Sequence, residues 1–222
     1  FETTTPSSLI AVKNAIADNL NNFTLLTANK TMPGAYKAMS EYADVFLYPG
    51  HVHAISGTRD CEEMLQRGVS GVIAGFTADE LITAIAIALK KAEEREPFMV
   101  NAYPRVVKKE GSPEAMELIK TFTESTDAEW RGIGVIKDSG LSLKKEYERF
   151  DAEKKFGIDR QSGKSNPACR CGEILKGICR PTDCPLFGKN CTPEHPVGAC
   201  MVSNEGTCSA YYLYGNKHCN YQ

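Results

Sequence analysis

Cysteine is distributed very unevenly along this chain of 222 residues. Eight of the nine cysteines lie between Cys169 and Cys219, and the only one before them is Cys61. An odd number of cysteines, a long cysteine-poor segment and first residues without the layout of a signal peptide argue against a secreted domain held together by disulfides. The C-terminal part is therefore predicted to fold around metal, which replaces a large hydrophobic core in segments of this kind.

The spacing of four of these cysteines favours an iron-sulfur cluster. Twelve, six and sixteen residues separate these four, which are Cys171, Cys184, Cys191 and Cys208. Zinc knuckles pair their cysteines at much shorter spacing, whereas four soft thiolates that arrive from separate loops suit an iron-sulfur cube. A zinc-stabilised interaction module and a thiol redox protein stay open as alternatives. Three further cysteines could replace a ligand or form a redox pair: Cys169, Cys179 and Cys200.

Before the cysteine-rich segment, predicted strands and helices alternate. Short β-rich or apolar runs predict strands at 23–27, 44–48, 71–75, 98–100 and 132–136. Helical spacing of apolar residues predicts helices that begin near residues 6, 33, 60, 77 and 113. Alternation of this kind predicts an α/β fold with a parallel sheet.

Three of the predicted helix starts carry capping residues. Thr77 with Glu80 and Asp60 with Glu63 match the capping box, in which each side chain pairs with the backbone N–H of the other residue. Ser112 stands before a proline that can start a helix. These three positions are therefore predicted helix N-termini.

Charge and hydropathy argue against two classes of function. The net charge of -2 provides no basic surface for a phosphate backbone, so no nucleic-acid partner is predicted. The most apolar stretch, residues 81–89, is about half as long as a membrane-spanning helix requires. No membrane span is expected, and a cytoplasmic location is predicted.

Seven motifs of the sequence occur in the same order in one known family. The C-terminal motifs are 184–188, 191–198 and 201–208, and the upstream motifs are 1–6, 49–52, 101–107 and 127–134. Together they resemble the HypD family of NiFe-hydrogenase maturation proteins, including the spacing of the family's cluster cysteines. The resemblance covers essentially the whole chain.

This resemblance implies a 4Fe-4S cluster bound by Cys171, Cys184, Cys191 and Cys208. It also implies an assembly scaffold with redox activity, rather than a stand-alone enzyme. On this scaffold an iron atom receives cyanide and carbon monoxide ligands, as Fe(CN)2CO, before it is transferred to the hydrogenase. The implied partners are a HypC-type chaperone and a HypE-type cyanide donor, and the cluster would feed a thiol redox relay.

Two cysteine-containing segments of the family, Cys-Gly-x-His-x-His and Gly-Pro-Gly-Cys-Pro-Val-Cys, precede the motif at which this chain starts. The expectation is therefore an N-terminally incomplete HypD without the iron-holding cysteine. A polar stretch at 159–166 predicts a domain boundary. The predicted division is the remainder of a first α/β domain at 1–46, a second α/β domain at 47–165 and a cysteine-rich 4Fe-4S cluster domain at 166–222, with Rossmann-like α/β units.

Four residues outside the cysteine-rich segment are candidates for contact with the iron complex. Glu2, Thr3 and Thr4 stand at a predicted strand-to-helix turn, where backbone N–H groups favour anionic groups such as a cyanide ligand. The alternative is ordinary helix capping. His51 lies on a predicted loop and could donate a hydrogen bond or a proton, or it could be a solvated loop histidine.

The remaining histidines and the isolated cysteine are predicted to be structural or exposed. His53 and His195 are predicted at the surface, and Cys61 is predicted to be a small apolar core residue. His218 with Cys219 is not expected to form a further metal pair, because both lie at the C-terminus.

Overall fold

The computed structural model describes residues 2–159 and 166–215, and the chain forms two compact units. The first unit contains residues 1–40, 44–128 and 136–159, and the second contains residues 41–43, 129–135 and 160–222. Most of the two predicted α/β domains, 1–46 and 47–165, falls in the first unit. The division of the chain into three domains stays a prediction. Most of the predicted boundary stretch, at 160–165, lies outside the described residues.

A three-stranded parallel sheet forms the centre of the first unit. Its strands are β1 (Val45–Pro49), β2 (Ser70–Ala74) and β3 (Met99–Asn101), in the spatial order β1-β2-β3. All five residues of β2 are buried, as expected for the central strand of a parallel sheet covered on both faces. The predicted mixed α/β class and its parallel sheet are confirmed.

Helices cover both faces of this sheet. Ile73 of β2 packs in a core cluster with Met64 and Tyr36, whereas Val72 and Ala74 pack against the other side with Ala84. The helices of the first unit are α1 (Thr5–Ala17), α2 (Met32–Met39), α3 (Gly50–Ser56), α4 (Arg59–Gln66), α5 (Ala78–Ala92), α6 (Pro113–Phe122) and α7 (Ala152–Phe156). No helix in the described ranges is long and apolar enough to cross a membrane.

Two of the three predicted caps are confirmed. The Thr77 hydroxyl accepts from the Glu80 N–H at 3.3 Å, and the Glu80 carboxylate accepts from the Thr77 N–H at 3.1 Å. The Ser112 hydroxyl accepts a hydrogen bond at 3.3 Å from the N–H of Ala115, the third residue of α6. The predicted box of Asp60 with Glu63 is wrong, because α4 begins one residue earlier and has Thr58 as its N-cap.

The predicted strand at 132–136 does not join the parallel sheet. Residues 134–143 form β5 (Gly134–Leu143), which pairs with β4 (Thr123–Trp130) in a separate two-stranded sheet. Three residues join these strands, and a connection this short permits only an antiparallel pair. The predicted strand at 23–27 is reduced to an isolated bridge between Leu25 and Asp151.

A second core of the first unit lies between α1 and α6. Leu9 and Val12 of α1 are buried there against Phe122 of α6, at the helical spacing that the sequence predicts. A 3-10 turn, Lys145–Phe150, adds the buried ring of Phe150. The charged segment 144–155 therefore contributes to this core through Phe150.

The second unit consists of short helical turns and loops. Its helices are α8 (Cys171–Leu175), α9 (Ala199–Val202) and α10 (Thr207–Ala210), with a 3-10 turn at Pro181–Asp183 and a π-helical turn at Tyr211–Gly215. None of these elements is long enough to bury a large apolar face, so the unit depends on its cysteines for a core.

Candidate functional site

The core of the second unit is a cluster of cysteines. Its buried members are Cys171, Ile174, Cys184, Cys191, Cys200, Met201 and Cys208, and Cys169, Cys179 and Phe187 pack against it partly buried. The four cysteines predicted as cluster ligands thus lie in one group, together with the three cysteines that were left as alternatives. Their helical turns are too short to bring them together by local structure alone.

One of the four predicted ligands is paired with another cysteine. Cys171 and Cys200 form a disulfide, with their Cα atoms 6.1 Å apart. A disulfide sulfur is not a thiolate and cannot serve as a metal ligand in that state. The predicted quartet is therefore not available as four thiols in this structure, whereas Cys169, two residues before Cys171, has a free thiol.

Four of the free thiols of this unit influence the pKa of Cys208. This pKa is raised to about 11: burial is the largest cause, followed by the nearby Cys184, Cys191 and Cys169, with a smaller contribution from Cys179. Thiolates crowded into one buried group repel one another unless a cation offsets their charge. The donor set is therefore soft and buried, and its sulfurs are close enough to interact, which fits an iron-sulfur cluster.

Within residues 2–159 and 166–215, no three His, Cys, Asp or Glu side chains are arranged around a single metal ion. A four-iron cube is a different geometry, because each cysteine binds a different iron atom and the sulfurs do not share one centre. His195 is exposed on a nearby loop, as predicted, and the pair His218–Cys219 lies outside the described residues.

Glu2 is a buried carboxyl in front of helix α1. Only 5% of its surface is exposed, and its Oε1 accepts from the Met32 N–H at 2.8 Å. The described residues offer its Oε2 no hydrogen-bond partner. Burial raises the pKa of Glu2, more than the hydrogen bond from Met32 lowers it. A buried carboxyl with one unpaired oxygen is a proton-bearing group or a group that awaits a ligand.

The other candidates have different surroundings. Thr4 is the N-cap residue of α1 and Thr3 precedes it, so both belong to the turn that the sequence predicts. His51 lies in the first turn of α3 and not on a loop, which corrects the prediction. The exposed ring of His51 stacks on the ring of Phe76, with 4.6 Å between the centroids. Within the described part of the chain, His51 makes no hydrogen bond to Glu2.

His53 is fully buried, so its predicted surface position is wrong. Its Nδ1 lies 2.9 Å from the carbonyl oxygen of Gly57, which can only accept, so Nδ1 carries the proton and Nε2 accepts from the Tyr36 hydroxyl at 3.1 Å. The Sγ of Cys61 lies 3.4 Å from Nε2. Cys61 is 0% exposed, which confirms its predicted core position. The apolar neighbours of His53 in the sequence indicate that this stretch is buried, but they do not identify the partners of its ring.

Asp60 is a half-buried acid in the first turn of α4 that the sequence did not single out for chemistry. The pKa of Asp60 is raised to about 6: burial is the largest cause, the nearby Glu2 and then Glu63 also raise this pKa, and Arg59 lowers it. Asp60 and Glu2 therefore repel each other when both are ionised, and protonation of either one relieves this repulsion.

Asp60→Asn is expected to stabilise the protein at neutral pH. The unfolded-state pKa of aspartate is about 3.9, so the folded state binds more protons between this value and the folded pKa near 6. The free energy of unfolding therefore falls as pH rises through that window, and Asp60→Asn removes this loss. We expect a gain of about 1 kcal/mol at pH 8, discounted because part of the carboxyl is solvated, and no gain at pH 4.

Urea unfolding of the variant and the parent at both pH values measures this gain. Glu96→Gln is the matched control, because it also removes a carboxylate from the first unit, but an exposed one that is not among the groups that shift the pKa of Asp60. An equal gain for both variants would show that general charge reduction, and not the burial of Asp60, is the cause.

The chain is thus a protein with one α/β unit and a second unit whose core is a cluster of cysteines. The family model HypD, described as the hydrogenase formation hypA family, matches residues 1–215. The chain therefore belongs to the HypD family.

Several curated proteins are similar to this chain. Hydrogenase maturation factor HypD2 of Bradyrhizobium diazoefficiens is 38% identical over 97% of this chain and 60% of its own length. HypD of Rhizobium leguminosarum bv. viciae is 38% identical over 97% of this chain and 59% of its own length. HypD of Cupriavidus necator is 36% identical over 97% of this chain and 60% of its own length. The chain thus spans about three-fifths of the length of these relatives.

Proposed function

We propose that this chain carries a 4Fe-4S cluster and takes part in the assembly of the Fe(CN)2CO group of NiFe hydrogenase. Membership of the HypD family supports the assembly role, because relatives in this family are named hydrogenase maturation factors. The observation that carries the cluster is the group of buried thiols that forms the core of the second unit. The three parallel strands with helices on both faces are consistent with a Rossmann-like α/β unit.

The proposed ligands include Cys184, Cys191 and Cys208. The family resemblance implies Cys171 as the fourth ligand, but Cys171 is held in the disulfide. Of the remaining free thiols, Cys169 raises the pKa of Cys208 more than Cys179 does. We propose Cys169 for the disulfide-bonded state. When bound, the cluster would supply electrons at low potential.

The candidate residues of the first unit are proposed to bind the iron cargo with its cyanide and carbon monoxide ligands. A protonated Glu2 could donate a hydrogen bond from Oε2, the oxygen for which the described residues provide no partner. The backbone N–H groups at Thr3 and Thr4 would stabilise negative charge on a cyanide ligand. His51, which is exposed, could provide a further donor.

The partners in this proposal are a HypC-type chaperone and a HypE-type cyanide donor. The proposal treats the chain as a scaffold with redox activity. Because the chain spans about three-fifths of the length of its curated relatives, the complete assembly reaction and its partners are part of this proposal.

Anaerobic reconstitution with iron and sulfide tests the cluster. We expect a brown protein with about four iron atoms per chain, a broad absorption band that bleaches on reduction and Mössbauer parameters of a four-iron cluster. Cys184→Ala should lose most of the iron. Cys61→Ala is the matched control, because it removes a buried cysteine of the first unit and should leave the iron unchanged.

The two alternatives give different results in the same preparation. Stoichiometric zinc in a colourless protein, isolated anaerobically, would indicate a zinc-stabilised interaction module. The disulfide of Cys171 with Cys200 gives the second alternative, a thiol-disulfide oxidoreductase, a structural basis. In the presence of dithiothreitol, which reduces the Cys171–Cys200 disulfide to two thiols, faster reduction of the insulin disulfides by the metal-free protein, lost in Cys200→Ala, would favour that function.

A further inference from the structure

We propose that the segment Pro196–Gly198 positions two sulfur ligands of the cluster and tunes its reduction potential. This inference rests on the proposed function, because it assigns a role to residues beside the proposed ligands. The segment lies between Cys191 and helix α9, and its two contributions come from the backbone N–H of Val197 and from the missing side chain of Gly198.

The first contribution is a hydrogen bond to a sulfur. The Val197 N–H donates to the Sγ of Cys191 at 3.3 Å. The Val197 side chain is 39% exposed, so the backbone and not the side chain makes this contact. An N–H that points at a ligand sulfur stabilises added negative charge, and hydrogen bonds to the sulfurs are among the features that set cluster potentials. This donor should therefore raise the reduction potential.

The second contribution is space for another sulfur. Gly198 is buried, with φ -98° and ψ 153°, an extended conformation that any residue adopts, so the backbone does not require glycine here. A Cβ built on Gly198 would lie 2.5 Å from the Sγ of Cys169 and 3.5 Å from the Cβ of Cys171. The thiol of Cys169 thus occupies the place of a side chain at position 198.

The segment is also fixed to the disulfide. The Gly198 carbonyl accepts from the Met201 N–H at 3.0 Å in the first turn of α9, and this turn carries Cys200. Cys200 is bonded to Cys171. One short stretch of backbone therefore contacts Cys169 and Cys191 and leads directly into the disulfide, which makes it a positioning element for the whole thiol cluster.

Substitution of Gly198 tests the steric part, first in the metal-free full chain. In Gly198→Ala the Cys169 thiol must move, so we expect a changed rate of Cys169 alkylation by iodoacetamide relative to Cys208, followed by mass spectrometry, and loss of most of the iron after reconstitution. Val202→Ala, an exposed position at the end of the same helix, should change neither. Unchanged alkylation and full iron content in Gly198→Ala would overturn this part.

Isotope labelling tests the hydrogen bond without a variant that could misfold. In the reduced, reconstituted protein labelled with 15N-valine, pulsed EPR should detect a nitrogen coupled to the cluster. Val197→Ala should remove this 15N signal and keep the potential, since alanine retains the N–H. Val197→Pro, which lacks the N–H, should shift the potential to more negative values. A labelled protein without the 15N coupling would overturn the hydrogen bond.

The two proposals can fail separately. A parent chain that binds no iron would reject the proposed function, while the alkylation rates of the metal-free Gly198→Ala protein would still decide whether Gly198 positions Cys169. A parent chain with a four-iron cluster, but with neither effect, would reject the role of this segment alone.

Discussion

Cys169→Ala is expected to remove most of the iron from the reconstituted chain, whereas Cys171→Ala is expected to leave it bound. The reason is that Cys171 is held in a disulfide with Cys200, while Cys169 is a free thiol that interacts with Cys208. Structural metal sites in small domains contribute about 10–16 kcal/mol to folding, so loss of a ligand should also destabilise the second unit. Iron content and the thermal midpoint of the reconstituted variants measure both effects.

The control for this pair is the double variant Cys171→Ala with Cys200→Ala, which avoids a single unpaired cysteine beside the cluster. It should retain iron to the same extent as Cys171→Ala. The reverse result, with iron lost in Cys171→Ala and retained in Cys169→Ala, would mean that the disulfide opens when the cluster is built. The ligand set predicted from spacing alone would then be correct.

The choice between these two cysteines shows where sequence spacing stops being informative. Cys169 and Cys171 are separated by one residue, so either spacing to the later cysteines is compatible with a cube. The decision depends on Cys200, which is 29 residues from Cys171 and reaches it only through the folded path of the segment. No local pattern encodes that contact, whereas the crowding of eight cysteines into one segment does predict a thiol-rich core.

The parallel sheet could be predicted because its signals are local. A run such as Gly71–Ala74 is apolar at every position, and a run buried on both faces must be a central strand. The capping box of Thr77 with Glu80 likewise uses residues three apart. The strand β4 carries no such signal, because its sequence Thr123–Trp130 is mostly polar and largely unburied.

The buried polar network around His53 could not be derived from the sequence. His53 lies on α3, its hydroxyl partner Tyr36 on α2, and Cys61 on α4, so three helices must pack before these groups meet. Histidine is common at surfaces, and the type of residue alone therefore favoured exposure. Glu2 shows the same limit, since its partner Met32 is 30 residues away.

Phe150→Ala is expected to lower the free energy of unfolding of the first unit by about 3–5 kcal/mol. Its ring is 1% exposed and packs in the core between α1 and α6, with the ring of Phe23 at 6.2 Å between centroids. Alanine would leave a cavity in this core and remove the ring over which the Arg149 guanidinium lies, at 4.5 Å from the centroid, while the hydrogen bond from the Leu25 N–H to the Phe150 carbonyl is retained.

Phe156→Ala is the matched control for this substitution, because it removes the same side chain from the end of the neighbouring helix α7, at a position that is 65% exposed. The control should change the free energy of unfolding by less than about 0.5 kcal/mol. Since small domains are stable by about 5–15 kcal/mol, guanidinium unfolding followed by circular dichroism resolves the two variants clearly. Equal effects of both substitutions would mean that the Phe150 ring does not contribute to the stability of this core and that α1 and α6 are held together by other contacts.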